Sequence, residues 1–294
     1  MESVYRQARL TLLRSAQNQD GGWGYCARHQ SWLEPTCYAL LALYQDPESI
    51  EAWNRGWKLM RSWQNMDGGW RPAAGVASSH WATALSVTVH CVHGVFDDSP
   101  RRGVGWILGM KGNEGGWLER AINTVHKLPN EYDRRFKGWP WIADTASWIE
   151  PTAHSLLALK KAAQTLPQEE LRRRVNEGER MILDRRSADG GWNYGNRRVL
   201  HTNLPSYPET TGVALLGLQG STLLEVPQAL RVAYQYWMET RSGLAKAWLA
   251  ISLRNYGKDL PAPDNSAAPG ADLMLAALEA ISCPNGGHQW LKPA

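Results

Sequence analysis

The stretch that decides the fold is LLRSAQNQDGGW, residues 12–23, which returns almost unchanged as LMRSWQNMDGGW at residues 59–70. Its Gly-Gly-Trp ending occurs four times, beginning at Gly21, Gly68, Gly115 and Gly190, and the first three copies lie 47 residues apart. A fixed period of that size is typical of helical repeat arrays, in which each unit buries its apolar face against its neighbours. The sequence therefore predicts an array of helix pairs.

A second, more apolar segment follows three of the triplets. It reads EPTCYALLAL at residues 34–43, EPTAHSLLAL at 150–159 and ETTGVALLGL at 209–218, and the second repeat has WATAL at 81–85 in its place. Segments that are apolar nearly all round are typical of buried helices, whereas the helices before the triplets carry polar side chains on one face. With no alternating strand pattern, these features predict an all-α fold, an α/α-toroid of about ten or eleven helices in two concentric layers, with residues 1–294 as one domain.

Composition narrows the function classes. The net charge is +4 with a sequence pI near 8.9, and Lys and Arg are scattered without a basic stripe, so we expect no nucleic-acid partner. The sequence shows neither an apolar run of membrane-spanning length nor a signal peptide, which predicts a cytoplasmic protein and leaves peripheral membrane contact open. The four cysteines lack any paired spacing and are expected to be reduced thiols. Nothing in the sequence indicates an oligomeric state.

The pattern Gln17-x-x-Asp20-Gly21-x-Trp23, repeated from Gln64, resembles the QW motif of squalene-hopene cyclases and their relatives. The third and fourth repeats keep the acid-Gly-x-Trp end but replace the Gln, and the alternation of helices also resembles the β subunits of protein prenyltransferases. The resemblance implies an α/α-toroid. It also implies an isoprenoid cyclase-like enzyme that acts on a polyprenyl substrate by acid-initiated carbocation chemistry, with no cofactor.

In those cyclases an Asp-x-Asp-Asp-Thr-Ala motif opens an inner helix, and its middle Asp protonates the substrate. Alignment on Thr152-Ala153 places Glu150 at the catalytic position, whereas alignment on Asp144-Thr145-Ala146 leaves Ala143 there. The group of acids is incomplete in both alignments, although protonation of an alkene needs a strong acid made by crowded carboxylates and hydrogen bonds. The catalytic candidates implied by the resemblance are Glu150 and Asp144.

The aromatic composition is unusual, because the sequence has 16 Trp and 10 Tyr but only 2 Phe. Tryptophan offers a π face that can hold a cation or stack on a flat ligand. We expect the four triplet tryptophans, Trp23, Trp70, Trp117 and Trp192, to be structural. The acidic residues of the same turns, Asp20, Asp67, Glu114 and Asp189, are expected to lie near main-chain donors. A second group lies before or at the start of the inner helices. It is expected either to pack in the core or to rim a central cavity that is apolar in its depth, and we associate it with a ligand. The candidate ligand-binding residues are Trp32, Glu34, His80, Trp81, Trp139, Trp141, Trp148, His154, Tyr207 and Glu209.

The recurrence of Glu34, Glu150 and Glu209 has two interpretations. Each stands just before the Pro or Thr of an inner helix, where a carboxylate meets the positive end of the helix dipole, and recurrence in three repeats favours this structural role. Glutamate is not among the preferred N-caps, however, and three carboxylates converging on one end of the barrel would form a negatively charged rim beside the tryptophans.

The third repeat carries an insertion. Trp117 and Glu150 are 33 residues apart, against 11 residues between Trp23 and Glu34. Long insertions in compact repeats are typical either of functional lids or of disordered segments. Because it ends in Trp139-Pro140-Trp141, a stiff aromatic segment, we expect a lid over the cavity entrance that brings Asp144 close to Glu150.

Other function classes stay open beside the cyclase-like enzyme. The main alternative is a non-catalytic toroid that binds an apolar ligand or a protein partner. A carbohydrate-active toroid is a third, because Trp with paired carboxylates also serves sugars. The prenyltransferase comparison implies zinc held by Asp, Cys and His, but here only His90 and His93 share a helix face, so we expect no metal site.

Overall fold

The computed structural model describes residues 3–115, 132–166, 169–199 and 201–293. Eleven α-helices lie in these ranges, together with the 3-10 turns Pro47–Ser49 and His288–Leu291 and one hairpin, in which Arg198 pairs with Asn203. The hairpin strands are β1 (Arg198–Val199) and β2 (Thr202–Asn203). The helices are α1 (Val4–Ser15), α2 (Leu33–Leu43), α3 (Ile50–Ser62), α4 (Thr83–His93), α5 (Asp98–Gly109), α6 (Ile149–Ala162), α7 (Glu169–Asp184), α8 (Pro208–Gly217), α9 (Glu225–Glu239), α10 (Gly243–Asn255) and α11 (Leu273–Ser282).

Six of the described helices form a closed inner ring. Helix α2 packs against α4, α4 against α6, α6 against α8, α8 against α10, α10 against α11, and α11 returns to α2. Helices α1, α3, α5, α7 and α9 pack on the outside of this ring. The inner helices are apolar nearly all round, and every residue of α2 except Glu34 is buried. The predicted all-α toroid in two layers is confirmed.

The connection between α10 and α11 departs from the alternation of outer and inner helices. Residues 256–272 contain no helix, and Pro261 and Pro263 within them lack the main-chain N–H that a helix interior requires. This stretch carries the chain directly to the last inner helix. None of the described helices is both long and apolar enough to cross a bilayer.

Main-chain hydrogen bonds join the start of an inner helix to a neighbouring repeat. The Leu33 N–H donates to the Pro72 carbonyl at 2.8 Å, and the Ile149 N–H to the Tyr194 carbonyl at 3.0 Å. In the same way the Leu273 N–H of α11 donates to the Tyr25 carbonyl of the first repeat at 2.8 Å. These bonds satisfy helix N–H groups that have no partner within the helix. The last bond also ties the end of the chain to its beginning.

Four of the described helix pairs are each held by a tryptophan clamp, in which one tryptophan hydrogen bonds to both helices. Trp23 is fully buried, its main-chain N–H donates to Thr36 Oγ1 at 3.0 Å, and its indole Nε1 donates to the Leu13 carbonyl at 2.8 Å. Thr36 belongs to the inner helix α2, and the Leu13 carbonyl belongs to the outer helix α1. Trp23 therefore fixes the distance between the two helices. The indole also reaches the next outer helix, where a Cβ on Gly56 would lie 2.6 Å from Trp23 Cζ3. Trp70 and Trp192 make the same two bonds, to Thr83 and Met60 and to Thr211 and Ile182.

An aspartate closes the turn before the tryptophan in the first, second and fourth repeats. Asp20 Oδ1 accepts the Gly22 N–H at 2.9 Å and the Ser31 hydroxyl at 2.8 Å. The other three also accept main-chain N–H groups, as the sequence predicted: Asp67 from Gly69, Asp189 from Gly191 and Ser206, and Glu114 from Ser147. Glu114 is buried and is neutralised by Arg185 at 2.8 Å.

In the third repeat the clamp is Trp139, so its predicted place on the cavity rim is wrong. Trp139 is 2% exposed, and it donates from its main-chain N–H to Thr152 Oγ1 at 2.9 Å and from Nε1 to the Ile107 carbonyl at 2.7 Å. The insertion had concealed this role, because Gly138-Trp139 repeats the end of the triplet 22 residues after Trp117. Trp117 itself lies outside the described residues.

We expect Trp139→Ala to lower the free energy of unfolding by about 3–5 kcal/mol, because it removes a buried indole and both of its hydrogen bonds. Trp23→Ala should cost a similar amount. Trp148→Ala is the matched control, since this side chain is 38% exposed and should cost less than the buried tryptophans do. Urea unfolding measures all three. Equal effects at Trp139 and Trp148 would contradict the clamp.

Candidate functional site

Glu34, Glu150 and Glu209 occupy one structural position, the second residue of α2, α6 and α8. Each is partly exposed, although the residues that follow it are buried. Glu34 and Glu209 both act electrostatically on Glu150, so the barrel brings all three carboxyl groups to the end at which these inner helices begin. We call this end, defined by Glu34, Glu150 and Glu209, the mouth.

Two of the three glutamates are held by tyrosine. The Tyr25 hydroxyl donates to Glu34 Oε2 at 2.5 Å, and the Tyr194 hydroxyl donates to Glu209 Oε1 at 3.0 Å. Both tyrosines stand two residues after a clamp tryptophan, in the sequences Trp-Gly-Tyr and Trp-Asn-Tyr. The sequence interpretation missed them, although this shared spacing would have identified them.

Glu150 differs because Trp141 occupies the corresponding position after Trp139 and offers no hydroxyl. Among the described residues no hydrogen bond reaches the Glu150 carboxyl group, and both named charges that act on it are negative. Burial first, and then the charges of Glu34 and Glu209, raise the pKa of Glu150 to about 8. Burial also raises the pKa of Glu34, and its hydrogen bond from Tyr25 opposes that shift. Glu150 therefore holds a proton at neutral pH.

Aromatic rings surround the mouth. Trp32, Trp148 and Tyr207 are the residues immediately before α2, α6 and α8, and the last two are 38% and 41% exposed. The Trp32 ring lies 6.2 Å from Tyr25, and the Tyr207 ring lies 5.3 Å from Tyr194. Trp32 and Tyr207, both predicted to bind a ligand, thus lie beside the tyrosines that hold Glu34 and Glu209. Their exposed faces are available to a cation or an apolar group.

The barrel axis below the mouth is filled by side chains. The Tyr38 hydroxyl of α2 and Nε2 of His154 in α6 are hydrogen bonded at 3.1 Å, and both rings contact Trp248 of α10 at centroid distances of 5.7 Å. These helices are not neighbours in the ring, so their contacts cross its interior. Trp81, just before α4, also packs on His154, with a centroid distance of 5.5 Å between the rings. The expected apolar cavity is therefore occupied at this depth, because inward-facing positions carry large rings.

His154 belongs to this packed centre. Burial lowers the pKa of its ring to about 3, so it is neutral. His80 lies partly buried beside Trp81, with its pKa lowered to about 4 by burial, and Trp81 also contacts Trp141 at 4.8 Å. Trp81 and Trp141 thus connect the mouth to the filled axis.

Asp144 is placed differently. It lies exposed in a turn with a φ of 64°, and none of the contacts of the described residues joins it to Glu150. Most of the predicted lid, residues 116–131, lies outside the described residues. The lid and a catalytic Asp144 stay predictions.

His90 and His93 lie among tryptophan rings. The imidazole of His90 is 4.5 Å from Trp57, and that of His93 is 4.5 Å from Trp53. Within the described part of the chain, no group of three or more His, Cys, Asp or Glu side chains is arranged to hold a metal ion.

Comparison with known proteins gives the fold. No protein-family model and no curated protein matches the chain. A variant of the type II terpene cyclase MstE from Scytonema, solved with geranylgeranyl dihydroxybenzoate, is 15% identical over 95% of this chain and 75% of its own, with a TM-score of 0.55. Cellobiose 2-epimerase from Bacillus thermoamylovorans is 10% identical over 86% and 80%, with a TM-score of 0.54. An uncharacterized conserved protein from Thermus thermophilus is 12% identical over 94% and 90%, with a TM-score of 0.53. At these identities the likeness shows the helical toroid and no activity.

The raised pKa of Glu150 predicts a pH dependence of stability. Between about pH 4.5 and 8 the unfolded chain loses the Glu150 proton while the folded protein keeps it, so stability falls as pH rises. Glu150→Gln removes this fall. The quantity to compare is the free energy of unfolding of the variant minus that of the wild type. We expect this difference to rise by on the order of 2 kcal/mol between pH 4 and pH 8.5, a figure reduced for solvent screening.

Chemical unfolding of both proteins at several pH values measures this difference. The exposed Glu51→Gln is the control and should run parallel to the wild type. A Glu150→Gln curve that also runs parallel would show that Glu150 titrates as an ordinary carboxyl group.

Proposed function

We propose that this protein is an isoprenoid-acting enzyme of the cyclase type, in which the protonated Glu150 donates a proton to a substrate at the mouth. The observation that carries the proposal is the state of Glu150, which has a pKa of about 8, no hydrogen bond from the described residues and two neighbouring glutamates. A general acid must hold its proton at the working pH and release it to the substrate. Glu34 and Glu209 already have tyrosine partners, so Glu150 is the carboxyl group free for this role.

The surroundings of Glu150 suit a reaction that develops positive charge. Proton transfer leaves the carboxylate on Glu150 and a cation on the substrate, which Glu34 and Glu209 stabilise electrostatically. The partly exposed faces of Trp148 and Tyr207 stabilise the same charge through their π electrons. Loss of a proton from the rearranged cation to Glu150 ends the cycle, so the product is an isomer of the substrate.

The geometry also limits the substrate. Because Tyr38, His154 and Trp248 fill the axis, the reacting end of the chain lies across the mouth rather than deep in the barrel. An acid with a pKa of about 8 protonates an epoxide oxygen more readily than an isolated double bond, and the negative charges at the mouth disfavour a diphosphate. We therefore favour an oxidised polyprenyl chain. The shared fold with a cyclase solved with a geranylgeranyl compound supports a polyprenyl ligand.

A non-catalytic toroid that binds an apolar ligand or a protein is the second candidate. The observation in its favour is the same filled axis, which leaves the rings around the mouth as the surface that a ligand can contact. The two candidates differ in whether the proton of Glu150 is needed for anything besides binding.

The test is incubation of pure protein with squalene, its terminal epoxide and linear prenyl diphosphates, followed by mass spectrometry and chromatography of the extracts. We expect an isomer of the epoxide. Glu150→Gln should abolish its formation and leave the fold intact, because the substitution removes the proton and little volume. Glu34→Gln should do less, about tenfold or smaller, because that carboxylate acts only on charge.

Circular dichroism and ligand binding of the same variants provide the control. If no substrate is converted and both variants bind squalene epoxide as the wild type does, the binding toroid is correct. Equal losses of activity in the two variants, matched by equal losses of thermal stability, would show that the glutamates act as helix-start residues.

A further inference from the structure

A second cavity of the molecule lies where the outer layer lacks a helix. Between the inner helices α10 and α11 the chain passes through residues 256–272 without forming a helix. A single irregular segment fills less space than a helix, which is about 10 Å wide with its side chains. The space left beneath this segment is a cavity of about 390 Å³. It is lined by Tyr5 of α1, Trp237 of α9, Ala247 and Ala250 of α10, and residues 261–264 of the segment itself.

Two arginines hold the segment over this cavity, one at each end. Arg254 of α10 donates from Nη2 to the Leu260 carbonyl at 2.9 Å, and Arg9 of α1 donates from Nη1 to the Ala267 carbonyl at 2.7 Å. Arg9 is 1% exposed, so the packing around it keeps its guanidinium in one place. The segment is thus tied to the inner layer and to the outer layer. The cavity beneath it is therefore preformed, as most small-molecule sites are.

The lining of this cavity carries charges of both signs. Its cations are Lys246 and Arg254, and its anions are Asp264 and Glu279. The Lys246 ammonium group lies 4.7 Å from the centre of the Trp237 ring, which holds it by a cation–π contact. Within the described part of the chain this ammonium group forms no ion pair. It is therefore a positioned cation whose carboxylate partner can come from a ligand.

Glu279 presents a carboxylate to the same cavity. Its side chain is 16% exposed, and its Oε2 accepts from Arg9 Nε at 2.9 Å. The Tyr5 hydroxyl is also hydrogen bonded to this carboxylate. Oε1 lies toward Gly243, a residue of the lining, where an added Cβ would be 3.5 Å away from it. Since a carboxylate offers about four acceptor positions, the Glu279 side chain can accept a further donor from the cavity.

We propose that this cavity binds a small zwitterion, a free α-amino acid with an apolar side chain. The carboxylate of the ligand pairs with Lys246, its ammonium group pairs with Glu279 and Asp264, and its side chain lies along Ala247 and Ala250. Two cations and two anions in the lining favour a ligand with both charges over one with a single charge. The volume is within the range of sites for small organic molecules. The cavity shares no residue with the mouth, so it does not depend on the function proposed there.

Three probes that share one carbon chain test whether both charges are needed. L-norleucine carries both charges, hexanoate lacks its ammonium group, and pentylamine lacks its carboxylate. An NMR titration that follows the indole N–H of Trp237, assigned with Trp237→Phe, measures the three affinities. We expect norleucine to bind with a Kd of about 1 mM or tighter and each of the others about tenfold more weakly, because each leaves a charge of the lining without its partner. Equal affinities for norleucine and either other probe, or no binding of norleucine at about 10 mM, would overturn the proposal.

Variants locate the binding to this cavity. Lys246→Met removes the charge and keeps the length of the side chain, so it should weaken norleucine and hexanoate about fivefold without weakening pentylamine. Lys258→Met is the matched control, because this exposed lysine follows the same helix and does not line the cavity. Ala250→Leu fills the space and should weaken norleucine by about tenfold or more. If Ala250→Leu fails to fold, the comparison of the two lysine variants decides alone. Identical norleucine affinities in those two variants would overturn the proposal.

Discussion

The indole of the clamp tryptophan is the interaction on which the rest of the structure depends. Trp23 joins the outer helix through the Leu13 carbonyl and the inner helix through Thr36, and Trp70, Trp139 and Trp192 repeat the arrangement. Because the threonine lies in the first turn of the inner helix, each clamp fixes where that helix begins. The starts of α2, α6 and α8 therefore meet at one end of the ring. The residues just before and after those starts, and not the apolar stretches themselves, form the mouth.

A difference of one side chain separates Glu150 from its two counterparts. The tyrosines two residues after Trp23 and Trp192 hold Glu34 and Glu209, whereas Trp141 stands in that position after Trp139. Repetition alone would give three equivalent helix-start carboxylates, and the substitution of an indole for a phenol makes one of them distinct. Burial and two like charges then keep its proton in place at neutral pH. A repeat architecture can in this way make one of several equivalent positions distinct.

Much of the fold follows from periodicity in the sequence, and the site follows only in part. The 47-residue period, the apolar segments and the acidic turn residues predicted the closed ring and the roles of Asp20 and Glu114. The prediction for Trp139 was wrong because an insertion separates this residue from the triplet whose tryptophan it replaces. Trp139 therefore does not lie on the 47-residue period, and the period identifies residues by their spacing alone. The axis is filled because the faces of α2, α6 and α10 that point into the barrel carry large rings. In a helix that is apolar all round, the sequence does not indicate which face that is. The tyrosine partners of the glutamates required the hydrogen bonds themselves.

The central claim is that Glu150 holds a proton at neutral pH because it is buried, lacks a hydrogen-bond donor among the described residues and faces two carboxylates. Its most direct test is a titration of the glutamate side-chain carbons by NMR, with Glu150→Gln to assign the resonance. The account predicts a resonance that titrates near pH 8 and moves to lower pH in Glu34→Gln and Glu209→Gln, because each substitution removes one like charge. A Glu150 resonance that titrates near pH 4.5 and ignores both substitutions would contradict it.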